Sequence, residues 1–110
     1  MNRNHLPDRR RCEIQTVWHH NQKYMVTVGR YEDGRPAEVF VDSSRPCGES
    51  VTLADDAAIV ASIALQYSVP LAVLRCAISR NPDGSAATIF GRALDLLAAP
   101  PVPALMEAAE

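Results

Sequence analysis

Aromatic residues are scarce, 5% of 110 residues, and lysine occurs only at Lys23, the other basic side chains all being arginine. With so few rings, the core is expected to be aliphatic and packed largely by helices. No apolar run approaches the ~20 residues needed to cross a bilayer as a helix. The start, Met1-Asn2-Arg3-Asn4-His5, lacks the apolar stretch of a secretory signal, so a soluble, cytoplasmic chain is the expectation. Cysteine is limited to Cys12, Cys47 and Cys76. An odd count without Cys-x-x-Cys spacing signals neither a disulfide framework nor a zinc knuckle. The three are read as reduced thiols, and Cys76, inside the apolar run Leu71 to Ile78, as a core residue. These absences exclude a membrane protein, a disulfide scaffold and a large cofactor-enclosing enzyme. A chain of this length holds one core and buries roughly two-thirds of its unfolded surface.

What is present is unevenly placed. Net charge is −2, yet Arg3, Arg9, Arg10, Arg11, Lys23 and Arg30 outweigh Asp8 and Glu13 in the first 30 residues, and acids outnumber bases in the rest. Residues 1–11 read as a flexible basic arm, residues 12–98 as a single domain and residues 99–110 as a Pro/Ala-rich tail. A basic arm on an acidic body suits nucleic-acid contact through Arg9, Arg10 and Arg11, or a solvated tail.

Three stretches alternate with period two: Cys12 to Trp18, Lys23 to Tyr31 and Pro36 to Asp42. Ile14, Thr16 and Trp18 share one face, as do Tyr24, Val26 and Val28, and Ala37, Val39 and Val41, with Phe40 opposite. These predict strands. His19-His20-Asn21-Gln22 joins the first two and Glu32-Asp33-Gly34-Arg35 the next two, Asp-Gly being a strong hairpin signal because both residues tolerate positive φ. Ser43 to Ser50 reads as a loop. A helix follows from Thr52 to Tyr67, with Thr52 and Asp55 as a cap signal and an apolar circumference that predicts cover on both sides. Ser68-Val69-Pro70 ends it, Pro70 opens a second helix to about Ser79, and Ser85 to Ala98 forms a third. The order β-β-β-α-α-α predicts an α+β fold, a three-stranded antiparallel meander followed by three helices.

Few constellations carry chemistry. His19 and His20 with Cys12 or Cys47 lack metal-ligand spacing, and adjacent residues on a strand or turn diverge; no metal site is expected. Arg45, Gly48 and Ser50 lie before a helix N-terminus, where backbone N–H groups favour anions, and there a nearby Cys47 thiol would be activated. Asp55 and Asp56 complement a helix dipole and diverge too far for an acid/base dyad. No catalytic residue is assigned.

Three ordered segments go further: Tyr31-Glu32-Asp33-Gly34-Arg35, Ala37-Glu38-Val39-Phe40-Val41-Asp42 and the run from Ala61 to Leu71, ASIALQYSVPL. Together they resemble the TSCPD domain near the end of adenosylcobalamin-dependent (class II) ribonucleotide reductases. There a YEDG turn leads into a GEIFID-like strand, and a helix ending SLGLQYGVPL follows. The resemblance spans Lys23 to Leu97. Ser68 stands where the family has glycine, and the Thr-Ser-Cys-Pro-Asp segment that names the domain has no counterpart. In the parent reductases the catalytic cysteines, nucleotide sites and cobalamin site belong to a large barrel. The resemblance therefore implies a stand-alone accessory or assembly module without its own cofactor, related to ribonucleotide reduction and DNA synthesis. Its implied partner is a reductase catalytic chain, and a three-stranded sheet with an uncovered face also suits a homo-oligomer. A nucleic-acid-binding module using the arginine arm is the alternative.

Overall fold

A computed structural model describes residues 2–7, 12–43 and 48–99. Three strands, β1 (Cys12–His19), β2 (Gln22–Arg30) and β3 (Pro36–Ser43), form an antiparallel sheet in the order β1-β2-β3. Three helices follow: α1 (Gly48–Gln66), α2 (Leu71–Ala77) and α3 (Ile89–Ala98). The α+β order expected from the sequence is the one observed.

Both hairpins follow from their turn residues. His20 and Asn21 have φ of 48° and 63°, the pair of positive φ values that a two-residue turn needs to match strand twist. In the second turn only Gly34 takes positive φ, at 90°; Asp33 stays on the other side. Gly34 N–H donates to Tyr31 C=O at 2.9 Å and Tyr31 N–H to Arg35 C=O at 3.0 Å, so three residues turn the chain, with glycine in the left-handed slot. The Asp33 carboxylate accepts from the Arg35 backbone N–H and from its Nε.

Tyr24, Val26, Val28, Val39 and Val41 line the inner face of the sheet and are buried against Ala54, Ala58, Ala61 and Leu65 of α1 and Ile89, Ala93, Leu94 and Leu97 of α3. α2 buries none of its residues fully, although Leu71 and Leu74 pack against this core. In β1 the polarity is inverted: its inward positions include Glu13 and Gln15, paired with Val28 and Val26, whereas Ile14 and Trp18 face outward and are exposed.

Several boundaries differ from expectation. α1 starts at Gly48, not Thr52, so Asp55 lies beyond the first turn, where the dipole effect has faded. Thr52 is inside the helix and is not its cap. Pro70 is the N-cap of α2 rather than its first helical residue. α3 begins at Ile89 rather than Ser85, because Arg80 and Ala86 form an isolated bridge and Thr88 Oγ1 accepts from Gly91 N–H at 3.0 Å. That cap fixes the start. Cys76 is exposed on α2 rather than in the core, as is Cys12 on β1. α1 is covered on one side only: Leu53 and Val60 are 59% and 67% exposed, since the sheet and α3 occupy its other flank.

Candidate functional site

α1 lies along the outer edge of β3 and closes it with polar side chains. Ser62 Oγ accepts from Val39 N–H at 2.9 Å and lies 3.0 Å from Val39 C=O and 2.8 Å from Ala58 C=O. Asp55 Oδ1 accepts from Val41 N–H at 3.4 Å, and Gln66 Nε2 donates to Ala37 C=O at 3.1 Å. These residues recur at helical spacing, so one stripe of an otherwise apolar helix meets a row of strand donors and acceptors. The stripe is polar because an edge strand buried under a helix must still have its backbone groups bonded.

The C-terminal end of α1 is a second junction. Ser68 has φ of 72°, Val69 N–H donates to Ala64 C=O and Ser68 N–H to Leu65 C=O, each at 3.0 Å. This is the paired bonding of a Schellman ending, built here on a serine where glycine fits most easily. The N-terminal segment docks onto it: Asn4 N–H donates to Gln66 C=O at 2.7 Å, Arg3 Nε to Gln66 Oε1 at 2.6 Å, and the Tyr31 hydroxyl to Asn4 C=O. The Arg35 guanidinium sits 4.8 Å from the Tyr31 ring centre, within cation–π range. Beside this end, buried Arg30 donates to Gly34 C=O at 3.3 Å and Ala99 C=O at 2.9 Å, with Glu13 3.8 Å from its Nε. It binds the end of α3 to the second hairpin.

At the opposite end, the His19 and His20 rings stack with centres 4.0 Å apart and separate two open grooves. One, of about 560 Å³, lies between the turn, the start of α1 and the start of α3, and is lined by His20, Tyr24, Ser50, Leu53, Thr88 and Phe90 among others. The second, of about 600 Å³, runs from Trp18 and His19 to Arg92 and Asp95. Burial, the neighbouring His20 and Arg92 hold the His19 imidazole below its ordinary 6.5, while a hydrogen bond to the Ala87 backbone works the other way. Arg92 Nη1 donates to Trp18 C=O. Asp95 joins Arg75 Nε at 2.9 Å and Arg80 Nη1 at 2.7 Å, and the Arg80 hydrogen bond is the main cause of its lowered pKa. Both grooves are lined by a mixture of polar and apolar side chains.

Of the residues singled out from sequence, Ser50 lines the first groove and Gly48 opens α1. Arg45, Cys47 and the arginines Arg9, Arg10 and Arg11 lie outside the described residues. Among the described residues no group of three or more His, Cys, Asp or Glu side chains is placed to hold a metal. No described helix is long and apolar enough to cross a membrane. Sequence reasoning missed the Asp55, Ser62 and Gln66 stripe, which polar residues at helical spacing in an apolar run could have signalled. It also missed the buried Arg30, for which the sequence offers no signal.

Leu53, Ala57, Val60, Ala64, Leu74 and Phe90 contribute to a groove of about 440 Å³ between α1, α2 and α3, continuous with the exposed face of α1.

No family model matches the chain, and no solved structure matches it. Two curated proteins do. The vitamin B12-dependent ribonucleotide reductase of Bradyrhizobium diazoefficiens is 35% identical over 69 residues, 63% of this chain and 6% of that protein. The enzyme of the same name from Agrobacterium fabrum is 33% identical over 69 residues, 63% of this chain and 5% of that protein. The chain thus spans about one-twentieth of the length of the relatives it matches. Most of this small domain is related to a short region of vitamin B12-dependent ribonucleotide reductases.

Proposed function

We propose that the chain is an accessory or assembly module of ribonucleotide reduction, non-catalytic by itself, that works against a reductase catalytic chain. The observation that carries this reading is the kinship of 69 residues to so small a part of two reductases. The segments resembling the TSCPD domain support a module held by its own internal bonds: Tyr31 to Arg35 build the turn, and Gln66 joins β3 to the N-terminal segment. The grooves beside His19 and His20 have the volume of sites for drug-sized ligands, roughly 300–1,000 Å³, and are too small and open to enclose a corrin with its adenosyl group. The reading therefore leaves that cofactor, and the radical chemistry it supplies, to the catalytic chain. Leu53, Val60 and the adjoining groove are the surface offered to that chain, since a contiguous exposed apolar patch marks an interaction site.

The test is direct binding between the purified protein and the reductase catalytic chain of the same organism, together with deoxynucleotide formation. The protein alone, given adenosylcobalamin and a reductant, yields no product; added to the catalytic chain, it binds and alters turnover. Val60→Glu weakens that binding without changing the circular dichroism spectrum. Product from the isolated protein, or no contact with the catalytic chain, overturns the reading.

A further inference from the structure

The two edges of the sheet are treated differently. That of β3 is closed by α1. Among the described residues that of β1 is paired to no further strand, and the turn sets its geometry. With two residues in the loop, His19 and Gln22 close it as a hydrogen-bonded pair, so bonded and unbonded positions alternate back along β1. The N–H and C=O groups of Ile14, Thr16 and Trp18 point away from β2. Trp18 C=O accepts from Arg92, as that parity requires; among the described residues, none bonds the outward groups of Ile14 or Thr16. Of the usual protections of an edge, β1 has one inward-pointing charge, Glu13, and lacks others. It has no proline and no lysine, and its register with β2 runs without a bulge from Cys12 to His19. Ile14 and Trp18, beside that edge, are 64% and 62% exposed.

We propose that the β1 edge pairs with β1 of a second copy, antiparallel about a two-fold axis through Thr16, joining two three-stranded sheets into one. The occupant follows from the sequence of the strand, Ile14-Gln15-Thr16-Val17-Trp18, which is complementary to itself. With Thr16 opposite its own copy, Ile14 lies opposite the second copy's Trp18, and Trp18 opposite the second copy's Ile14, both on the outer face. Aromatic and β-branched partners across strands are favourable. On the inner face Glu13, which already faces Arg30 of its own copy, falls opposite the second copy's His19, and no pair sets like charges together. A slip of two residues would set Thr16 against Trp18 or Ile14 and lose the match. The Trp18 carbonyl has a second lone pair for the second copy's Ile14 N–H, so the Arg92 bond persists. The four large side chains can remove at most about 500 Å² of apolar surface, less than the roughly 1,200 Å² of the smaller stable interfaces. Backbone pairing adds to this, and the dimer is one that dissociates on dilution. This inference stands apart from the reductase reading.

The experiment is analytical ultracentrifugation of the whole chain over a concentration series, with amide exchange read in parallel. The expected result is a dimer with Kd on the order of 10 μM and slower exchange at Ile14, Thr16 and Trp18 as concentration rises. Thr16→Pro removes an N–H that faces outward in the monomer, a position where an edge strand tolerates proline, and raises Kd at least about 100-fold. Ile14→Lys, a substitution on an exposed face, does the same should the proline variant fail to fold. A wild-type protein that stays monomeric to about 1 mM overturns the proposal. So does a dimer that folded variants leave unchanged, and so does occupation of this edge by a strand of another protein in place of the second copy.

Discussion

Replacing Ser62 by alanine tests whether α1 seals the β3 edge. Val39 is fully buried, and the hydroxyl of Ser62 is the acceptor for its N–H. That hydroxyl has one proton, shared between the carbonyls of Val39 and Ala58. In Ser62→Ala, Ala58 C=O keeps the ordinary helical bond, but Val39 N–H has no partner and no path to water. An orphaned buried donor costs about 1–3 kcal/mol. Alanine returns up to about 0.5 kcal/mol through its better helix propensity. The net loss is about 1.5 kcal/mol, and at about 4–8 °C per kcal/mol for a domain near this size the melting temperature falls by roughly 10 °C. Urea denaturation should show a lower midpoint at unchanged slope, since the surface exposed on unfolding is the same. A change of less than about 0.3 kcal/mol at unchanged slope would refute the reasoning, because it would mean that water already reaches the edge and the serine closes nothing.

Other substitutions probe single features of the same frame. Ser68→Gly relieves a left-handed residue and should stabilise by about 1 kcal/mol, read as a higher melting temperature; a loss would show the Schellman ending to be held by the serine side chain. Gly29→Ala places a methyl carbon 2.5 Å from Glu38 Cγ, a clash with a buried side chain rather than with a free tip, and should cost about 1–3 kcal/mol in chemical denaturation. Asp95 titrates below its ordinary 3.8 chiefly through the Arg80 hydrogen bond, with Arg75 assisting. The folded pKa is depressed, so its contribution is present above the unfolded value and is lost as pH falls through the folded one. Asp95→Asn should therefore be less stable than wild type at neutral pH, and the gap between them should close on acidification; a gap constant with pH would refute the assignment.

How much of this could be read from the residues depends on what each pattern encodes. Strand periodicity and turn residues are local, so the three strands, both hairpins and their order were legible. The start of α1 was not, because Gly48, Glu49 and Ser50 are common in loops and only the packing of the following turns draws them into the helix. The apolar circumference of α1 predicts cover on both sides, yet the sheet and α3 meet it on one side. Composition states that a surface is apolar, and it does not state which molecule covers it. The inverted strand β1 carries the same ambiguity, since alternation separates two faces without saying which is inward. Glu13 and Gln15 point in because register with β2 fixes them opposite Val28 and Val26, and register is set by the turn at His20 and Asn21 rather than by the strand itself. The exposed apolar residues on α1 and β1 thus have one origin: the sequence places them by period, and the fold, having filled its core from the inner face of the sheet, α1 and α3, lays none of its described elements over them.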